Sequence, residues 1–142
     1  IKEEEKEEEK KTTPSVNLEG LKVLVVDDNE LNREIAKEIL QDEGMEVELA
    51  EDGDIAVNKV SKNGATYYDI IFMDIQMPIM NGYEAAKKIR ELPDGNKVLI
   101  IALSANAFAE DKAKSIEAGM NDHIAKPIDL DELFSTLSKY IK

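Results

Sequence analysis

Short apolar runs and stretches of helical periodicity alternate along this chain from Leu21 onward. LKVLVV (Leu21 to Val26) is a Val-rich run of the kind that forms a strand buried on both faces. Asn29 to Glu43 then carries Leu31, Ile35, Ile39 and Leu40 at helical spacing, and Gly44 is placed to stop that helix. MEVELA (Met45 to Ala50) alternates apolar and polar positions, as a half-covered strand does. A second helix is predicted over Asp54 to Asn63 with Ile55, Ala56 and Val60 inward, followed by a strand, DIIFM, over Asp69 to Met73. Pro78, Asn81 and Gly82 mark a loop before a helix near Tyr83 to Leu92. Lys97 to Leu103 reads as a fourth strand, Phe108 to Ala118 as a fourth helix, and His123 to Ala125 as a short fifth strand. Asp129 to Ile141 closes the chain as an amphipathic helix through Leu130, Leu133, Phe134, Leu137 and Ile141.

Strands alternating with helices in this way predict an α/β domain, a doubly wound parallel sheet with helices on both faces. Right-handed crossovers cover both faces only where the winding reverses once. For five strands this favours the order 2-1-3-4-5, which places ligands beyond the carboxyl ends of strands 1 and 3.

Composition narrows the chemistry. Residues 1–16 open with IKEEEKEEEKK, which has nothing to bury against a core and is expected to be an acidic, solvated linker. Glu7 with Lys10 and Lys11 would support a helical turn at most. Residues 17–142 are expected to be the folded domain. Because the first residue is Ile, the chain reads as a piece excised from something longer. Lys and Arg total 18 against 31 Asp and Glu, a net charge of −13. Such a surface repels nucleic acid phosphates and anionic lipid, so contact with neither is expected. Cys is absent and His123 is the single histidine, which excludes disulfides, thiolate zinc sites, a cysteine nucleophile and paired-histidine metal sites. No apolar run reaches the ~18 residues that span a bilayer, and no signal peptide opens the chain, so the expected setting is cytoplasmic. Carboxylate, hydroxyl and lysine chemistry remain.

These groups collect just beyond the strands. The first strand runs into Asp27 and Asp28, the third into Asp74, the fourth into Ser104, and the fifth into Lys126 followed by Pro127. Each has an ordinary explanation on its own: Asp28 as a helix cap, Ser104 as a satisfied hydroxyl, Lys126 as a surface charge. Capping does not, however, require three acids and a lysine at one sheet edge. Two carboxylates ~4 Å apart repel by about 4 kcal/mol at an effective dielectric of ~20, and a divalent cation with hard oxygen ligands, Mg²⁺, relieves that repulsion. An acidic trio with Mg²⁺ and a lysine suits phosphoryl transfer to a carboxylate. No glycine-rich phosphate cradle is present.

At these residues the sequence resembles the response-regulator receiver domains of two-component phosphorelays. VVDDNELNREIAKEIL, MDIQMPIMNGYEA, ALSANAF and AGMNDHIAKPI match in order and spacing, and the likeness runs from Leu21 to Lys142. The wording is most similar to receivers attached to hybrid histidine kinases. The resemblance implies a flavodoxin-like fold with Asp74 as phosphoacceptor. It implies Mg²⁺ held by Asp28, by Asp27 mainly through water, by Asp74 and by the backbone carbonyl of Gln76. Ser104 would hydrogen-bond the phosphoryl group, Lys126 would contact its oxygens, and the Lys126–Pro127 bond would be cis. Ala105 is small, as access requires, and Gln76 and Asn106 would flank the path of hydrolytic water. The position three before the lysine, often Tyr or Phe in the family, is His123 here, a departure that weakens the expectation of an aromatic switch and admits a pH-dependent one. Implied partners are a histidine kinase and a histidine phosphotransfer protein.

Two rival functions share these residues. An Asp-nucleophile, Mg²⁺-dependent phosphatase usually has a second Asp two residues after the nucleophile; that position is Gln76. The domain is therefore expected to promote its own phosphorylation and dephosphorylation rather than to turn over small substrates. A binding module that is never phosphorylated would gain nothing from crowded acids.

Overall fold

The computed structural model describes residues 17–75, 77, 80–104, 109–126 and 128–140, with residues 109–112 described by their backbone alone. Ten elements alternate: β1 (Lys22–Val26), α1 (Glu30–Asp42), β2 (Glu46–Ala50), α2 (Gly53–Asn63), β3 (Ile70–Asp74), α3 (Gly82–Glu91), β4 (Leu99–Ser104), α4 (Ala109–Glu117), β5 (Asp122–Ala125) and α5 (Leu130–Leu137). All strand pairs are parallel and the sheet order is β2-β1-β3-β4-β5, the order expected from the alternation.

Strand side chains point alternately to the two faces, so the central strands β1, β3 and β4 feed two cores. Leu24, Val26, Ile71, Met73, Ile100 and Ala102 pack against α2 and α3 through Ala56, Val60, Ala85 and Ile89. Val23, Val25, Phe72, Ile101, Leu103 and Ile124 pack against α1 and α5 through Ala36, Leu40, Leu133 and Leu137. The central strand β3 is buried along its whole length, as its apolar run requires.

Helix starts depend on side-chain oxygens that accept otherwise orphaned N–H groups. Asn29 caps α1 by accepting from Asn32, Asp52 caps α2 by accepting from Ile55, Asp129 caps α5, and Asn81 with Glu84 forms a capping box on α3. α1 ends where expected, with Gly44 at φ 90° donating to Gln41. The core face of α1 differs from the pattern expected of it. Leu40 and Ala36 are buried, whereas Leu31 is 67% exposed and Ile35 41%. Ile35 instead borders an open cavity with Val25 and Leu103, so packing there is incomplete. α5 is shorter than expected and leaves Leu130 at its start exposed. The expected linker of residues 1–16, Pro127 with its peptide bond, and Ile141 lie outside the described residues.

Candidate functional site

Parallel register lines up the strand ends. Val26 pairs with Met73, so the next residues, Asp27 and Asp74, emerge side by side, and Asp74 itself pairs with Leu103, one residue before Ser104. Ser104 pairs with Ala125, and the Lys126 N–H donates to the Ser104 carbonyl at 2.8 Å. Four residues distant in sequence thus share one rim because β1, β3, β4 and β5 are adjacent and point the same way.

The carboxylates converge. Asp27, Asp28 and Asp74 each offer an oxygen, and these oxygens lie within 4.8 Å of one another. Asp27 and Asp74 are buried while Asp28 is exposed. The Lys126 ammonium stands 3.2 Å from Asp74 Oδ1 and 3.4 Å from Asp27 Oδ2. Burial lowers the ammonium's pKa, but Asp74 and then Asp27 outweigh burial by charge and hydrogen bonding, so the net direction is upward and Lys126 is held protonated. Asp27 is fixed from both sides: Oδ1 accepts the Asn29 N–H at 2.9 Å, and its carbonyl accepts from Arg33 Nη1 at 2.9 Å. Asp28 does not cap α1, since Asn29 does, so its carboxylate is left to the cluster.

Three carboxylates face a single ammonium, a local excess of negative charge in a mostly buried setting. Hard oxygens crowded in this way fit Mg²⁺, which prefers carboxylate ligands and retains water on its remaining positions. A carboxylate such as Asp74, buried yet paired with the Lys126 ammonium, is of the kind that can act as a nucleophile toward phosphorus.

A sequence model of the response regulator receiver domain matches residues 23–138. The chain belongs to that family. Hybrid signal transduction histidine kinase L of Dictyostelium discoideum is 45% identical over 127 residues, covering 85% of this chain and 7% of the kinase. The receiver domain of a sensor histidine kinase from Pseudomonas aeruginosa PAO1, solved with a magnesium ion coordinated in its active-site cleft, is 38% identical with a TM-score of 0.76, over 85% of this chain and 97% of that one. The receiver domain of the Saccharomyces cerevisiae response regulator Ssk1, solved with the histidine phosphotransfer protein Ypd1, is 34% identical with a TM-score of 0.77, over 87% of this chain and 90% of that one. The chain spans 7% to 13% of the length of the curated histidine kinases that it matches.

Within this receiver domain, Asp27, Asp28, Asp74 and Lys126 come together as expected from the strand ends, and Ser104 lies buried at the neighbouring strand end. His123 is buried on β5, opposite Ala102. Gln76, Ala105 and Asn106 lie outside the described residues. Two contributors escaped the sequence reading of the receiver: Arg33, which grips the Asp27 carbonyl, and Asn32, which lines the cavity beside Asp27 and Lys126. Both sit in a charged, polar helix start that looks solvated in one dimension. No helix among the described residues is long and apolar enough to cross a membrane.

Proposed function

We propose that this receiver domain takes a phosphoryl group from a phosphohistidine onto Asp74 and then switches or relays the signal, as the receiver of a cytoplasmic portion of a hybrid histidine kinase. The observation that carries this reading is the buried Asp74 carboxylate, 3.2 Å from the Lys126 ammonium and clustered with Asp27 and Asp28. A carboxylate oxygen of Asp74 attacks phosphorus in line. The O–P bond forms as the N–P bond of the donor breaks, and the imidazole leaves, taking a proton from solvent. Asp28 and Asp74 would hold Mg²⁺ directly and Asp27 mainly through water, with the Gln76 carbonyl as a further ligand. When bound, the ion offsets the negative charge of the incoming phosphoryl oxygens. Lys126 exchanges its carboxylate partners for phosphoryl oxygens, and Ser104 supplies a hydroxyl to the same group. The added charge of roughly −1.5 to −2 draws both residues inward and shifts the β4 and β5 ends that carry them.

Partners must reach this rim. Leu31 and Ile35 are exposed on α1 beside it, next to an apolar cavity of about 330 Å³ lined by Val25, Ile35, Ala36, Leu103 and Ile128. This face suits a partner protein that presents a histidine within an apolar surround. We assign it to the kinase's phosphohistidine domain and to a histidine phosphotransfer protein.

Labelling with radioactive acetyl phosphate in Mg²⁺ tests the assignment. The parent protein takes up label and Asp74→Asn does not. Label persisting in Asp74→Asn would mean another acceptor. Steady hydrolysis of many phosphomonoesters would favour the phosphatase reading instead.

A further inference from the structure

Two glycines occupy positions where a side chain has no room. A Cβ on Gly82 would collide with the carbonyl oxygen of Asp74 and fall 2.9 Å from the Ile75 Cα. A Cβ on Gly53 would fall 2.5 Å from the Met80 carbonyl oxygen and 3.1 Å from the Ala85 Cβ. Neither glycine needs a left-handed backbone, so the requirement is space for close backbone approach. In both cases the obstructing atom is a main-chain oxygen, which cannot rotate aside as a side chain can.

These contacts form a series. The first turn of α2, capped by Asp52, abuts Met80. Met80 precedes Asn81, whose capping box with Glu84 seats the start of α3. Gly82, the first residue of α3, donates its N–H to Ile75 at 2.9 Å and lies against the backbone of Asp74. Ile75 is in turn tied to β4 by its N–H bond to Leu103 at 3.1 Å. The start of α2 therefore bears on the phosphoacceptor through α3, although no atom of α2 belongs to the acidic cluster.

We propose that Gly53 is a positioning residue for phosphoryl transfer, setting the Asp74 backbone by allowing α2 to seat Met80 and the start of α3. The inference rests on Asp74 being the phosphoacceptor. A displacement of about 1 Å in a reacting group can cost up to ~100-fold in rate, so Gly53→Ala is expected to slow labelling by roughly tenfold.

The test uses the full chain, ¹⁵N-labelled and held well below its melting temperature. In Gly53→Ala, without metal or phosphodonor, the amide resonances of Asp74 and Ile75 shift. Labelling by acetyl phosphate then falls roughly tenfold. Val60→Ala, a cavity in the same helix, is used at a matched loss of melting temperature and labels like the parent. Adding Ala85→Gly to Gly53→Ala removes the side-chain clash but leaves the one with the Met80 oxygen, so it does not restore the rate. Labelling of Gly53→Ala within twofold of the parent overturns the proposal. So does a loss with unmoved Asp74 and Ile75 amides, rescue by Ala85→Gly, or an equal loss in Val60→Ala. Should Gly53→Ala not fold, Asp52→Ala removes the oxygen that accepts the Ile55 N–H and loosens the same turn. A labelling rate lowered about threefold, in keeping with a lost cap, supports the proposal, and an unchanged rate overturns it. If Asp74 were not the acceptor, the parent's label would survive Asp74→Asn, while the amide shifts would still report the bracing.

Discussion

Arg90 and Asn121 join the helical layer to the sheet at the end opposite the acidic cluster. Arg90 Nη2 donates to Asn121 Oδ1 at 2.8 Å, and that same oxygen accepts the Ile100 N–H at 2.8 Å. The remaining guanidinium donors reach the carbonyls of Gly119, Gly95 and Val98 at 2.7 to 2.8 Å. Burial lowers the pKa of this guanidinium, which its intrinsically high value absorbs without loss of charge. Replacing it leaves several half-buried carbonyls without a protein donor. Arg90→Met is expected to cost about 2–4 kcal/mol, read as a lower urea midpoint at unchanged slope. Mg²⁺ affinity at the far rim stays as in the parent. An unmoved midpoint would mean that water serves these carbonyls equally well.

Lys126 forms ion pairs with both Asp27 and Asp74. Lys126→Met removes the ammonium that two buried carboxylates share. Its side chain is 23% exposed, so water softens the loss, which is expected to be about 1–3 kcal/mol in metal-free buffer. Because the same vacancy leaves the cluster more negative, Mg²⁺ binding tightens. Thermal melts with and without Mg²⁺ separate the two effects, and weaker Mg²⁺ binding in the variant would contradict this charge balance.

Saturating Mg²⁺ stabilises the native state by mass action, about 2.7 kcal/mol at 100 times the dissociation constant. Asp28→Ala is expected to remove most of that gain, whereas Asn32→Ala keeps it. Asp28 is exposed and does not cap α1, so its loss leaves the fold intact. Calorimetric titration of both variants decides: equal weakening would undo the metal assignment.

Tyr68 sits buried beside β2, donating its hydroxyl to Glu48 at 2.7 Å and accepting from Asn63 at 3.1 Å. Burial, followed by the Glu48 carboxylate, raises its pKa well above the ordinary 10.0. The neutral phenol is thus favoured in the folded state. Its contribution is fully present below pH ~10 and fades as pH rises through the higher folded value. Lys126, also raised above 10.5, loses its contribution in the same alkaline window. Tyr68→Phe is expected to lower stability by about 1 kcal/mol at neutral pH and to flatten its decline above pH ~10. A decline unchanged in Tyr68→Phe would assign the alkaline loss to Lys126 and to Tyr140, whose hydroxyl pKa is also raised by burial and by Asp122.

Leu31→Ser and Ile35→Ser alter exposed positions and are expected to change stability by no more than ~0.5 kcal/mol. Labelling by acetyl phosphate stays at the parent rate, because a small donor needs no docking face. Transfer to or from a phosphohistidine partner slows roughly tenfold, in keeping with loss of an apolar anchor. Equal rates with both donors would remove α1 from the interface.

Much of this architecture was legible in one dimension because periodicity reports burial. A Val-rich run such as LKVLVV has few solutions other than a covered strand, and alternation with helices leaves few windings. The strand ends then named Asp27, Asp28, Asp74, Ser104 and Lys126, since the first residue beyond each parallel strand must reach one rim. Helix α1 was only partly legible. Leu31 and Ile35 carry the right spacing, yet how closely a helix face is covered depends on the packing of the layer beneath it.

Sequence alone determined the fold class and the acidic, thiol-free chemistry of the domain, because both follow from which residue types are present and at what period. Only the tertiary structure decided that Arg33 holds the Asp27 carbonyl, that Arg90 serves four acceptors, and that Gly53 and Gly82 must lack a Cβ. All of those contacts but the one to Asn121 Oδ1 are with main-chain oxygens. Every residue carries the same carbonyl, so nothing in the side-chain code marks which one a distant group will meet until the layers have packed.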